Sequence, residues 1–209
     1  MAVPTKAEMR ITLLGCCTTL TALVAAGCGF GGTTERNLDD RAGDGAAATG
    51  PNILAVGVKR NDETITFRVR FATAPPLEAN EQEGWVDMLL IGIDVPPSGP
   101  PPTTPGGEWR GADYALGTHG PSVSGMLVRL PAGASEENKV AGEVTADIPI
   151  ETDGATLSLS VPRDKLRDPE TFALSIAAAR EWNKAGGEPP GARPDVAPDR
   201  GTWTVELGG

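Results

Sequence analysis

Cysteine is scarce in this 209-residue chain, and its three copies, Cys16, Cys17 and Cys28, all fall within the first 28 residues. Beyond them the chain can form no disulfide of its own and no cysteine-based zinc site. Histidine is scarcer still, with His119 alone. Acid–base and metal chemistry at neutral pH commonly recruits such side chains, and a single His beside Gly120-Pro121 reads as a polar turn residue. Aromatics are 4% of the residues, so the core must come mainly from Val, Leu, Ile and Ala. Basic residues number 18 against 28 acidic ones, for a net charge of −10. An acidic surface repels phosphate backbones, which argues against nucleic acid as a partner. Sustained helical periodicity is missing too.

What is present begins at the N-terminus. Lys6 and Arg10 precede sixteen uncharged residues, 11–26, ITLLGCCTTLTALVAA. A basic start, an apolar run and small residues at its end make an export signal. A membrane-spanning helix would need about 20 apolar residues, more than this run supplies. The end of this run sharpens the reading. Ala25-Ala26-Gly27-Cys28 resembles the bacterial lipobox, in which a diacylglycerol is attached to the Cys sulfur and the chain is cut just before it. That resemblance implies a lipid attached at Cys28 and anchorage to the extracytoplasmic face of the cell membrane. Cysteine usage supports it separately. Cys16 and Cys17 would leave with residues 1–27, and the remaining 182 residues would begin with their only Cys. The removed segment carries Lys6, Glu8 and Arg10, so the mature charge becomes −11. No basic amphipathic stretch is present, so membrane contact is expected from the lipid alone.

Residues 28–50 continue as GFGGTTERNLDDRAGDGAAATG after Cys28, rich in Gly, Ala, Thr and Asp without an apolar period. They read as a flexible tether. Residues 51–209 are different. In TITFRVRF, Ile65, Phe67, Val69 and Phe71 alternate with polar residues, the period of a half-buried strand. ILAVGVKR precedes it across Asn61-Asp62, which predicts a hairpin. WVDMLLIGID (85–94) is nearly continuous and reads as a central strand covered on both faces. MLVRL, EVTADIPI, ATLSLSV, TFALSIAAA and the segment from Trp203 complete the set, and PRDKLRDPE reads as one helical turn or a loop. The expected fold is all-β, an antiparallel sandwich of about eight or nine strands with long Pro/Gly-rich loops. The two longest loops are VPPSGPPPTTPGGEWR (95–110) and AGGEPPGARPDVAPDR (185–200).

The order of these elements resembles the DOMON-like β-sandwiches and the related family-nine carbohydrate-binding modules. The resemblance rests on IGID (91–94), a variable loop, GADYAL (111–116), LSLSVPRDKL (157–166) and PDVAPDRGTW (194–203). It implies a domain that holds a sugar, haem or another small ligand between its sheets or at a loop edge. It also implies a structural Ca²⁺ near Asp94 in some members, although Val95-Pro96-Pro97 replace the acidic position next along. Haem-binding members use a His and a Met as axial ligands, which here would draw on His119 with Met88 or Met126. Nothing else marks a porphyrin pocket, and neither a cofactor nor a metal ligand set is expected.

Three residues stand out for ligand contact. Trp109 lies at a loop end, where an exposed ring would stack on a sugar face or a protein; burial as a lid over the sheet edge is the alternative. Asp94 and Asp113 flank the first long loop and could meet at one end of the sandwich, or simply cap turns there. Trp85, Trp182 and Trp203 lie in or beside apolar strands and read as core. No GxSxG elbow accompanies the serines. The function expected is a non-catalytic binding or interaction module for a glycan or an envelope protein. The alternative is a hydrolase of envelope polymers working through paired carboxylates.

Overall fold

Alternation of apolar and polar side chains becomes strand almost everywhere it occurs. The computed structural model describes residues 34–40, 51–95, 112–131, 142–182, 194–198 and 201–208. The expected signal peptide, Cys28, Trp109 and most of both long loops lie outside the described residues. All described elements belong to one unit, Gly31–Gly209.

The strands are β1 Thr34–Asp39, β2 Ile53–Arg60, β3 Thr64–Phe71, β4 Ala79–Asn80, β5 Trp85–Asp94 and β6 Tyr114–His119. They continue as β7 Ser124–Arg129, β8 Glu143–Asp153, β9 Thr156–Pro162, β10 Thr171–Trp182, β11 Asp195–Ala197 and β12 Trp203–Glu206. Every pairing is antiparallel, and the described residues contain no α-helix. The all-β class is therefore as expected, with twelve described strands where eight or nine were anticipated.

Along the sheet the order is β1-β2-β3-β9-β8-β7-β6-β5-β10-β11, with β12 also pairing β10 and β4 pairing β5. The sheet folds over on itself at β8. Residues 143–149 of that strand pair with β7, and residues 150–153 pair with β9. Pro149 stands at the change of partner, where a residue lacking an N–H costs the ladder least. Two layers result, with the side chains of Ile65, Phe67, Val69, Leu157 and Leu159 from one meeting those of Leu89, Ile91, Ile93, Leu116 and Leu174 from the other. Phe67 and Phe172 touch edge to face across the interior, ring centroids 6.0 Å apart.

The two outer edges are tied together by polar contacts. The Ile53 N–H donates to the Asp195 carboxylate at 2.5 Å, Arg36 Nε donates to the Glu206 carbonyl at 3.1 Å, and Arg60 Nη1 donates to the Leu207 carbonyl at 3.0 Å. These contacts also align the layers. One end of the sandwich carries Thr34, Arg60, Asp94, Asp113, Arg129, Thr171 and Glu206. The opposite end carries Asp39, Ile53, Phe71, Trp85, His119 and Trp182. We call them the Asp94 end and the Trp85 end.

Four strands escaped the sequence pattern. β1 falls in the stretch read as tether. Its residues TERNLD lack an apolar period because it adds to an edge, where the backbone ladder with β2 holds it and only Leu38 packs toward the core. β6 alternates Tyr114, Leu116 and Thr118 inward, but Gly117 and Thr118 weaken the signal. β4 and β11 are two and three residues long. PRDKLRDPE does form a single 3₁₀ turn, Arg163–Leu166, which buries Leu166 and ends on Arg167 in the left-handed region. β5 is fully covered on its inner face and half-covered on its outer one.

Candidate functional site

Asp94 is the last residue of β5 and Asp113 immediately precedes β6. The pairing of Ile93 with Tyr114 sets the two aspartates opposite each other at the sandwich end, as the sequence suggested. Their chemistry is already occupied. Asp113 Oδ2 accepts the Val95 N–H at 2.9 Å, its own N–H donates to the Ile93 carbonyl at 2.9 Å, and its carbonyl accepts from Leu130 N–H at 2.8 Å. Asp94 is not free either. Asp113 is thus the strand-end cap that a short acidic side chain makes well. Among the described residues no three His, Cys, Asp or Glu side chains come together as a metal site would require.

His119 ends β6 rather than lying in a turn, and it stands opposite Met88 on the outer face of the sheet. Its Nε2 lies 3.7 Å from the Glu181 carboxylate, with both side chains more than half exposed. Met126, on β7, is likewise half exposed. The three residues that might have ligated haem between the layers therefore face outward.

A different cluster occupies the Trp85 end, on the inner face. Pairing of β5 with β10 puts Asp87 opposite Arg180 and Trp85 opposite Trp182. Asp87 is 4% exposed, and Arg180 forks onto it with Nε at 2.7 Å and Nη2 at 3.1 Å. The same guanidinium lies 3.5 Å above the Trp85 ring, and Trp182 packs against that ring with centroids 6.5 Å apart. A bidentate fork and a stacked face are what a planar guanidinium offers and an ammonium does not. Trp85 Nε1 donates to Glu83 at 2.7 Å, the Asp87 N–H donates to the Glu78 carbonyl, and the Gly120 N–H donates to the Asp87 carbonyl.

No protein-family model matches this chain, and no curated protein does. The site must be judged on its own geometry. Three buried polar atoms at the Trp85 end have no hydrogen-bond partner in the structure: Asn52 Oδ1, Thr118 Oγ1 and Trp182 Nε1. A buried donor or acceptor without a protein partner calls for one from elsewhere, such as water, an ion or a ligand. The set comprises an amide oxygen, a hydroxyl and an indole N–H, types that recur where neutral polar ligands bind.

The sequence held a signal for this cluster that went unread. Within WVDMLLIGID, Asp87 shares the inward parity of Trp85, Leu89, Ile91 and Ile93; in TFALSIAAAREW, Arg180 shares that of Phe172, Leu174, Ile176 and Ala178. Opposite charges on the buried parity of two strands are expected to find each other. Trp85 is buried and Trp203 packs against the core, in keeping with the roles read from their positions.

The long loops do not share an end. The roots of the first, Val95 and Ala112, belong to the Asp94 end, whereas Trp182, the root of the second, belongs to the Trp85 end.

Proposed function

We propose that the protein is a lipid-anchored cell-envelope protein whose DOMON-like β-sandwich acts as a binding or interaction module. Anchorage is supported by the uncharged run 11–26 ending at Cys28, the only Cys of the mature chain. The observation that carries the binding role is the set of unpartnered buried polar atoms of Asn52, Thr118 and Trp182, which share the Trp85 end of the sandwich among the described residues. A neutral polar ligand such as a glycan, or a polar loop of an envelope protein, would complete their hydrogen bonds. The competing hydrolase reading draws on Asp94 and Asp113, which stand opposite each other, yet the engagement of both speaks against a freely reacting pair.

Metabolic labelling with a fatty acid tests the anchor: the wild type is expected to incorporate it and Cys28→Ser to lose it. Labelling that persists in Cys28→Ser would remove the lipid attachment from Cys28. A glycan array and an envelope pull-down with the mature chain test the binding role. That chain must retain β1, since a fragment beginning at Gly50 would discard an integral strand.

A further inference from the structure

We propose that docking of β1 onto the sheet shortens the membrane leash so far that the Asp94 end of the sandwich faces the bilayer and the Trp85 end faces outward. The inference rests on the lipid-anchor reading and adds to it a direction. Had residues 28–50 all been tether, the lipidated Cys28 would be joined to the first fixed residue by roughly 80 Å of extended chain, and the domain could take any attitude. β1 changes that. Thr34 pairs with Arg60, and Arg36 Nε holds the Glu206 carbonyl, so the chain is fixed to the sheet from Thr34 onward. Six residue steps separate Cys28 from Thr34, a reach of at most about 20 Å whatever their conformation.

The longest strand decides what that reach permits. β10 spans twelve residues, about 40 Å at the usual rise per residue. Thr34 sits at the Asp94 end, because its partner Arg60 and the neighbouring Glu206 and Leu207 carbonyls lie there. Turning the domain over, with the Trp85 end against the membrane, would lift Thr34 roughly 30 Å from the lipid, the length of the ten paired residues of β5 and β10 and about half as much again as the leash. That attitude is closed to it. The surface nearest the lipid is then formed by the Asn61–Glu63 turn, the Arg163–Leu166 turn with Asp168, and the roots of the first long loop. Asn52, Thr118 and Trp182 are carried at the far end, toward whatever the envelope presents.

The test uses the full-length protein, matured by its host and reconstituted in phosphatidylcholine vesicles containing a head-group spin-labelled lipid. The lipid blocks the Cys28 sulfur, so a fluorophore can be placed on Asp62→Cys at the Asp94 end or on Val123→Cys beside β7 at the Trp85 end. Both positions are exposed, Val123 at 87%. Quenching by the spin label is expected to be severalfold stronger at position 62 than at 123. A flexible Gly/Ser insert after Gly32, long enough to span the sandwich, should erase the difference without touching the folded strands. Equal quenching, or stronger quenching at 123, in a protein shown by mass to carry its lipid overturns the orientation and leaves the anchor standing. A mature protein without lipid on Cys28 overturns both.

Discussion

Removing the Arg180 side chain should destabilise the sandwich far more than an exposed ion pair would allow. The Asp87 carboxylate is 4% exposed and takes two charge-assisted hydrogen bonds from the guanidinium, at 2.7 and 3.1 Å. In Arg180→Ala that carboxylate stays inside, flanked by Trp85 and Leu89, with its countercharge gone. Leaving one member of a buried pair behind typically costs about 3–5 kcal/mol, whereas breaking an exposed pair costs about 0–1. Loss of the guanidinium from the Trp85 face adds roughly 0.5–2 kcal/mol. Arg180 is itself about a quarter exposed, so water entering the vacated space offsets part of the penalty and the lower figure is the better guide. At roughly 2–4 °C per kcal/mol for a domain of this size, the melting temperature should fall by about 6–12 °C. The sharper measurement is a double-mutant cycle by chemical denaturation with Arg180→Met, Asp87→Leu and the pair together. The double variant should recover most of what either single change loses, because it leaves no charge buried. If Arg180→Met costs under about 1 kcal/mol and the cycle shows no coupling, the pair is solvent-screened and the cluster is not what holds this end together.

Thr118→Val is expected to preserve or slightly raise the melting temperature, since it removes a buried hydroxyl that has no partner, and to weaken capture of the glycan or envelope protein. A clear loss of stability would show that the hydroxyl is satisfied in solution, by water for example, and would take the binding role away from it. Trp109→Ala separates two roles for that loop residue. Weakened capture at an unchanged melting temperature marks a contact residue, whereas a loss of about 3–5 kcal/mol marks a buried one.

Much of this fold was legible in the chain because burial on one face imprints a period of two. β3 and β10 show it plainly, with Phe67 and Phe172 on the buried parity of each and in contact across the core. β1 was illegible for the converse reason. An edge strand held by its backbone ladder needs few apolar side chains, and TERNLD supplies only Leu38. Asp94 and Asp113 lie at the same end because they flank one loop between neighbouring strands, a relation that sequence order alone makes visible. Asp87 and Arg180, 93 positions apart, required the register of β5 on β10, which no local pattern states.

Register also decides where a ligand should be sought. The two long Pro-rich loops, 95–110 and 185–200, leave the sandwich from different strands. β5 and β10 run antiparallel as direct neighbours, so the end of β5 at Asp94 and the end of β10 at Trp182 lie at opposite extremes of the same pair. A loop leaving the first and a loop leaving the second therefore have their roots about a strand length apart, roughly 30 Å for the ten paired residues. Only the second is rooted beside the unspent polar atoms of Thr118 and Trp182. The proposed lipid leash at the Asp94 end would leave the Trp85 end and the second loop as the first surface that a soluble partner meets. Substitutions at Asp94 or Asp113 should then alter strand-end capping and leave capture intact, whereas substitutions at Thr118 or Trp182 should alter capture itself.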